Sequence, residues 1–182
     1  MLVLKVAPIT NTIALEDAKT FLGMLGIDGG DTLITSLIKG ATEHVENTTN
    51  RQLMSATYEL YADSFITKLP KNPIQSIEKI EYMDENEVYQ VLDSSLYYLY
   101  EYLDIGMIEY KNLPVLPTHK KAVKITFVCG YTVVPEPIKA YIRVKIATLY
   151  EFREEFVAGA SVSDIGNNLI DNLLSPYKIK EF

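Results

Sequence analysis

Residues 132–156 read TVVPEPIKAYIRVKIATLYEFREEF, and this stretch predicts a helix with apolar side chains on more than one face. Pro137 suits the first helical turn, because its missing N–H is not needed there and its fixed φ already fits a helix. At about 100° per residue, one broad apolar sector contains Ile138, Tyr141, Ile142, Leu149, Phe152 and Phe156. Smaller side chains lie on the opposite side of the helix: Ala140, Val144 and Ala147. Ile146 and Tyr150 lie between the two sides and widen the apolar arc.

Such a helix needs a neighbour on each side, and the sequence leaves two accounts open. The helix is either central within one domain, or its second face meets another subunit. Lys145 interrupts the apolar sector and also has two interpretations. Its stem extends along apolar surface with the ammonium in water, or it forms a salt bridge within the fold or across a subunit boundary.

Length and composition describe a globular chain of one domain, or of one domain with an insertion. Its 182 residues are 48% hydrophobic and 23% charged. The formal net charge of -7 argues against a protein that grips nucleic acid by neutralising phosphates. A single cysteine, Cys129, forms no internal disulfide, and the apolar run in MLVLKVAPIT is too short for a signal peptide. We therefore expect an intracellular, reducing compartment, and no apolar run is long enough to predict a membrane span.

Two helices are predicted before the β-rich region. In IALEDAKTFLGMLGI, the helical spacing predicts a short first helix with an apolar stripe formed by Leu15, Ala18, Phe21, Leu22 and Leu25. After DGGD, Asp31 is expected to cap a second helix that runs through Thr48. Asn50 suits a left-handed stop after it. The predicted buried stripe of this second helix is Leu33, Ile34, Leu37, Ile38, Ala41 and Val45.

From residue 56 to residue 131 the apolar period changes towards two, which predicts an inserted antiparallel β layer. Asp84 to Glu87 reads as a hairpin turn. In KAVKITFV we expect Lys124 and Thr126 to point outward, and the inward set to be Val123, Ile125 and Phe127. Small and polar residues from 157 predict a mobile loop, and the tail continues to 182. The predicted fold is α+β: a single domain, 1–182, with a helical bundle core of two N-terminal helices plus a long C-terminal helix.

No catalytic, cofactor-binding or metal-binding constellation emerges from the sequence. His44 and His119 have no obvious partner, and Cys129 reads as a small buried hydrophobe. A zinc site needs more Cys and His ligands than the chain has. The carboxylates of DENE, EYLD and EFREE fit a hairpin turn and charged surfaces, and DGGD lacks the lysine of a phosphate loop. We therefore expect a protein that is not an enzyme.

Taken in order, five segments carry a resemblance to a known family: LEDAKTFLGM, DTLITSLIKGATEHVENTTNRQL, TFVCGY, VPEPIKAYIRVKIATLYEFREE and LLSPYK. Over nearly its whole length the chain resembles the head-to-tail connector proteins, also called adaptor or head-completion proteins, of tailed double-stranded DNA phages and prophages. Asn50 stands where the family often has glycine, and Ala14 stands where a Ser or Thr cap is common. Asn tolerates the left-handed conformation, and Thr12 is expected to cap instead.

The resemblance implies a structural ring of identical subunits, dodecameric on the portal, that extends the DNA channel towards the stopper or tail. DNA would pass through the lumen without specific binding. The protein would belong to the head-to-tail interface of the virion and to the host cytoplasm during assembly, with no membrane contact and no cofactor. The second face of the helix would then contact a neighbouring subunit through Ala140, Val144, Ala147, Tyr150 and Arg153. The implied portal-contacting tail comprises Leu173, Leu174, Pro176, Tyr177 and Lys178.

Two other functions stay open from the sequence. One is a monomeric protein-binding module of a phage or prophage, whose β layer meets a peptide or another protein. The other is a small intracellular enzyme that uses acidic residues of the β-rich insertion. Permanent monomer behaviour in the presence of a portal would favour the first, and activity lost on replacing a clustered carboxylate would favour the second.

Overall fold

The computed structural model describes residues 1–27, 29–151 and 172–179. By its internal contacts the chain divides into two compact units. The β unit comprises Met1–Ile9 and Met54–Thr132, and the α unit comprises Thr10–Leu53 and Val133–Phe182. Each unit is therefore built from two separate stretches of sequence. The predicted β-rich insertion, 56–131, falls inside the second stretch of the β unit, and the assignment of 1–182 to a single connector domain stays a prediction.

The β unit contains an antiparallel five-stranded sheet and a separate two-stranded hairpin. The order across the large sheet is β1-β2-β7-β3-β4, and the hairpin pairs β5 with β6. The strands are β1 Leu2–Val6, β2 Ala56–Ala62, β3 Ile74–Met83, β4 Tyr89–Val91, β5 Tyr97–Tyr102, β6 Ile105–Tyr110 and β7 Val123–Cys129. Together with the helices of the α unit, these strands confirm the predicted α+β class. The predicted turn after β3 is also present, but β1 was not anticipated.

Strand β7 lies at the centre of the large sheet and organises the core of the β unit. Val123, Ile125 and Phe127 are fully buried, as their alternation predicted. The hairpin packs on the same core through Ile108 on its inner side. Thr126 was predicted to point outward, away from the core. Its side chain is nevertheless fully buried. A central strand has long side chains beside it on both of its faces, so facing away from the core does not by itself expose a residue.

At Gly106 the backbone of the hairpin lies very close to the first residue of β3, Ile74. A Cβ atom at this position would overlap the Ile74 side chain, so the packing requires glycine there. The Gly106 amide donates a 2.6 Å hydrogen bond to Oδ1 of the buried Asn72. This contact fixes the position of the hairpin within the β unit.

The α unit contains three helices and a short 3-10 turn among its described residues. Their bounds are α1 Leu15–Phe21, α2 Asp31–Thr49, α3 Glu136–Glu151 and the turn Ser175–Tyr177. Pro137 lies in the first turn of α3, as expected. The residues of α2 and α3 that are most deeply buried repeat at helical spacing: Ile34, Ile38, Ala41, Val45, Ile138, Tyr141, Ile142 and Ile146. None of the described helices is long and apolar enough to cross a membrane.

The predicted helix caps were wrong, although the predicted stop was right. Neither Thr12 nor Asp31 caps a helix through its side chain. The Thr12 hydroxyl instead lies 2.9 Å from that of Thr42, and Asp31 forms a 2.6 Å ion pair with Lys19. Both side chains find partners that are distant in sequence. Asn50 takes the left-handed conformation, with φ of 55°, at the end of α2 as predicted.

Four apolar residues assigned to buried stripes are exposed. Leu25 lies beyond the end of α1, because that helix stops at Phe21 and glycines follow. The periodic pattern therefore extended further than the helix itself. The exposed residues are Phe21, Leu25, Leu33 and Leu149.

Candidate functional site

The second face of α3 is the first surface that the sequence singled out. Ala140, Val144, Ala147 and Tyr150 are all half-buried. They contrast with the opposite side of the helix, where Ile142 and its neighbours are fully buried. Ile146 is buried, so the accessible part of the second face consists of the small residues and Tyr150. The fifth residue predicted for this interface, Arg153, lies outside the described residues.

Charged contacts hold the first half of α3 against α1. The Arg143 Nε and Nη2 atoms donate hydrogen bonds of 3.1 and 2.8 Å to Oδ2 of Asp17. Its Nη1 atom lies 3.6 Å from a carboxylate oxygen of Glu136. The hydrogen bond with Asp17 raises the pKa of Arg143 above its ordinary value, so the guanidinium stays charged. These contacts orient the first half of α3 against α1.

His44 has a partner that the sequence did not reveal. Its Nε2 atom lies 3.1 Å from the hydroxyl of Tyr141, and the two rings are nearly parallel at 7°. The residues are 97 positions apart, so their pairing follows from the packing of α2 on α3. Nδ1 of His119 accepts a 3.1 Å hydrogen bond from the Lys121 amide. Both histidines therefore have partners that the sequence did not show, and these contacts fit the structural role predicted for them.

The described part of the C-terminal tail folds back onto the end of α2. Leu174 is 1% exposed, and Nε of the buried Arg51 donates a 2.6 Å hydrogen bond to the Tyr177 carbonyl. Two residues further on, the Ile179 amide donates to the Thr49 carbonyl at 3.1 Å. The other residues predicted to contact a portal differ in exposure: Tyr177 is half-buried, and the exposed ones are Leu173, Pro176 and Lys178.

Chemical groups suited to catalysis or metal binding are not brought together in residues 1–27, 29–151 and 172–179. No cluster of three or more His, Cys, Asp or Glu side chains there could hold a metal ion. Cys129 is buried in β7, as predicted. The most enclosed carboxylate of the β unit, Glu81, is held by Lys124 at 2.7 Å and by Lys79 at 3.1 Å. Such an arrangement holds the Glu81 carboxylate in an ion pair within the β unit.

Comparisons with known proteins agree with the resemblance in the sequence. Residues 12–99 match the family of the phage gp6-like head-tail connector protein. No curated protein matches the chain. Three solved structures share the fold over 100% of this chain and 97% of theirs.

These three solved structures come from gene transfer agent (GTA) particles. One is described as the neck of an empty GTA particle computed with C6 symmetry, at 20% identity and a TM-score of 0.80. Another is the virion of a native GTA particle, at 18% identity and a TM-score of 0.78. The third is the neck of a native GTA particle computed with C12 symmetry, at 20% identity and a TM-score of 0.74. These findings confirm the resemblance to phage head-to-tail connector proteins, by sequence over residues 12–99 and by fold over the whole chain.

Proposed function

We propose that this protein is a ring-forming structural subunit of a head-to-tail connector. It docks beneath a portal and continues the DNA channel towards a stopper or tail-completion protein. The observation that carries the proposal is the fold match along the whole chain to subunits of particle necks. One of these necks was computed with C12 symmetry, which favours a ring of twelve copies. The family match over residues 12–99 supports the same role independently of the fold.

The second face of α3 is the proposed seam between neighbouring subunits in this ring. Ala140, Val144 and Ala147 are small enough to let another backbone approach closely, and Tyr150 offers a larger contact beside them. All four are half-buried, so they retain surface that a neighbour would cover. In a closed ring each subunit presents different surfaces to its two neighbours, so only one neighbour needs this face. Arg153 stays part of the proposed seam by sequence alone.

The C-terminal tail is the proposed contact with the portal. The exposed side chains of Leu173, Pro176 and Lys178 are available to a partner. Leu174 and the Tyr177 carbonyl instead hold the tail to the α unit. The tail thus combines residues that anchor it with residues that would dock.

The charge of the chain suits a passage that DNA crosses without being retained. A net charge of -7 opposes tight binding of phosphates, which requires clustered Lys and Arg. Twelve such subunits around a lumen would therefore let the duplex slide.

The test is the mass of the purified protein by light scattering, alone and with the portal of the same phage or prophage. The proposal predicts particles of about twelve subunits of 20.6 kDa in at least one of the two samples. Val144→Glu should reduce ring formation, because it places a carboxylate in the proposed seam. Ser36→Glu introduces the same group at an exposed position of α2 and should assemble as the native chain does.

A protein that stays monomeric in both samples would overturn the connector proposal. That result would favour a monomeric binding module instead. If Val144→Glu forms rings as well as the native chain does, the connector proposal stands and the contact between subunits lies elsewhere on the surface.

A further inference from the structure

The β unit presents two chemically different faces on opposite sides. The outer side of the hairpin forms what we call the tyrosine face: Tyr98, Tyr100, Tyr102, Met107 and Glu109. The side of the large sheet that points away from the core carries the lysine face: Lys5, Lys79 and Lys124 from the strands, and Lys121 from the turn before β7, whose ammonium group lies over the Tyr61 ring. Both faces lie within one compact unit, so their arrangement follows from its own strands.

The tyrosine face exposes a large aromatic surface. Tyr98 and Tyr102 are each 62% exposed, and Tyr100 is 38% exposed. The rings of Tyr98 and Tyr100 stack with their centroids 6.3 Å apart, which gives the face a defined shape before any partner arrives. Cross-strand neighbours complete it, since Tyr98 is opposite Glu109 and Tyr100 is opposite Met107. Tyrosine and methionine are residue types enriched at the centres of protein interfaces.

The lysine face is positively charged on an acidic chain. Its four lysines surround two carboxylates, those of Glu59 and Glu81, which leaves two positive charges in excess. Lys5 and Lys79 keep 43% and 41% of their side-chain surface exposed. The chain as a whole carries a charge of -7, so this excess is local.

The alternation of side chains places the two faces on opposite sides of the β unit. Along β7, Ile125 and Phe127 point into the core while Lys124 points away from it. In the hairpin, Leu99 and Ile108 pack on that same core. Their sequence neighbours, including Tyr98 and Glu109, therefore point away from the sheet. The core separates one face from the other.

We propose that the tyrosine face of one subunit binds the lysine face of the next copy of this chain. Lysine ammonium groups bind the faces of tyrosine rings, and Glu109 adds a carboxylate for a further lysine. The chain already uses the same chemistry internally. Lys121 lies 5.2 Å from the ring centroid of Tyr61, and Lys124 lies 4.7 Å from that of Tyr89.

The location of the faces explains why this contact would build a ring. Two different and complementary patches on one subunit make a head-to-tail interface, and such an interface closes into a ring when its rotation allows. The inference rests on the proposed function, because it assigns one of the contacts of the proposed ring. It adds a β-unit contact to the seam proposed on α3.

The experiment uses two full-length variants in which one face each is disrupted. Tyr98→Ser with Tyr102→Ser disrupts the tyrosine face at its two most exposed rings, and Lys5→Gln, Lys79→Gln and Lys121→Gln together disrupt the lysine face. Each variant should give no ring-sized particle by light scattering under conditions in which the native chain assembles fully. A mixture of the two should give a one-to-one dimer that grows no further, because only one complete interface, with both the β-unit contact and the α3 seam, can form between them.

Conservative variants separate loss of the contact from loss of the fold. Tyr98→Phe with Tyr102→Phe keeps both rings, and the corresponding three Lys→Arg changes keep the charge, so both should assemble. Thermal unfolding of every variant verifies that the subunit is folded. Rings formed by either disrupted variant, or by their mixture, would overturn the inference and leave the ring itself standing. If the native chain forms no ring with or without a portal, the proposed function fails first.

Discussion

Nε of Arg51 donates a 2.6 Å hydrogen bond to the carbonyl oxygen of Tyr177, which lies 126 positions further along the chain. Arg51 follows directly after the left-handed residue Asn50 that ends α2, and it is only 4% exposed. The stop of the helix thus turns a buried guanidinium towards the tail. This relationship makes the end of α2 the attachment point of the described C-terminal segment.

Arg51→Ala should loosen the tail from the α unit. Hydrogen bonds from charged donors contribute about 1.5–3 kcal/mol, and truncation also leaves the Tyr177 carbonyl without its donor. We expect faster hydrogen exchange at the Ile179 amide, which donates to Thr49 in the same attachment. Lys39→Ala removes an exposed cation from α2 and should leave this exchange rate unchanged. An equal rate in Arg51→Ala and the native chain would show that the bond does not hold the tail.

Two adjacent leucines of the tail should respond differently to truncation. Leu174 is 1% exposed and Leu173 is 37% exposed. Leu174→Ala should lower the free energy of unfolding by about 2–4 kcal/mol, because it leaves a cavity, whereas Leu173→Ala should cost less than about 1 kcal/mol. Urea unfolding followed by circular dichroism measures both.

The Leu173→Ala variant also tests the portal contact proposed for the tail. Leu173→Ala should weaken binding to the portal with little loss of stability, since its side chain is exposed. Portal binding that is unaffected by Leu173→Ala, in a protein that does bind the portal, would remove this residue from the docking surface.

Local patterns in the sequence carried enough information for most elements of the fold. Helical spacing located α2 and α3, and alternation located β7 with its buried residues. The stop at Asn50 depends on the backbone preference of one residue, so it could be read directly. Strand β1 could not be predicted in this way. The burial of its five residues does not alternate along the strand, and its partners lie in β2, more than fifty positions away.

Contacts between distant residues account for most of what the sequence did not predict. The capping roles given to Thr12 and Asp31 failed because Thr42 and Lys19 compete for those side chains. The tyrosine face escaped notice because an alternating strand shows which residues share a side, but not which side the core covers. For the interface residues Ala140, Val144 and Ala147, the sequence identifies a second face of α3, and their contact with a neighbour stays a prediction.

Thr126→Val should stabilise the β unit. Among the residues that the structure describes, no atom forms a hydrogen bond with the fully buried Thr126 hydroxyl. Replacing this hydroxyl with a methyl group of similar shape removes an unpaired polar atom from the interior, which should add about 1 kcal/mol to the free energy of unfolding. Thr126→Ser keeps the hydroxyl, loses the methyl group and should be less stable than the native chain. Urea unfolding measures the stability of all three proteins. A Thr126→Val variant less stable than the native chain would contradict this prediction.

Glu81 should make the stability of the β unit depend on pH. Partial burial favours the neutral carboxyl, but hydrogen bonds from Lys124 and Lys79 outweigh burial and hold the pKa of Glu81 below its ordinary value of 4.5. The unfolded chain therefore binds the proton more readily than the folded chain does. The contribution of Glu81 to stability is fully present above the unfolded pKa and is lost as the pH falls through the folded pKa.

The measurement is urea unfolding at a series of pH values from about 7 down to about 3, where carboxylates take up protons. The native chain should lose stability towards the acid end, and Glu81→Gln should lose less over the same range because it has no proton to bind there. At neutral pH the variant should be the less stable protein, since Lys79 and Lys124 lose their shared carboxylate. Glu85→Gln removes an exposed carboxylate of the hairpin turn and should follow the native curve closely. Parallel curves for Glu81→Gln and the native chain would mean that other carboxylates, rather than this buried ion pair, govern the acid response.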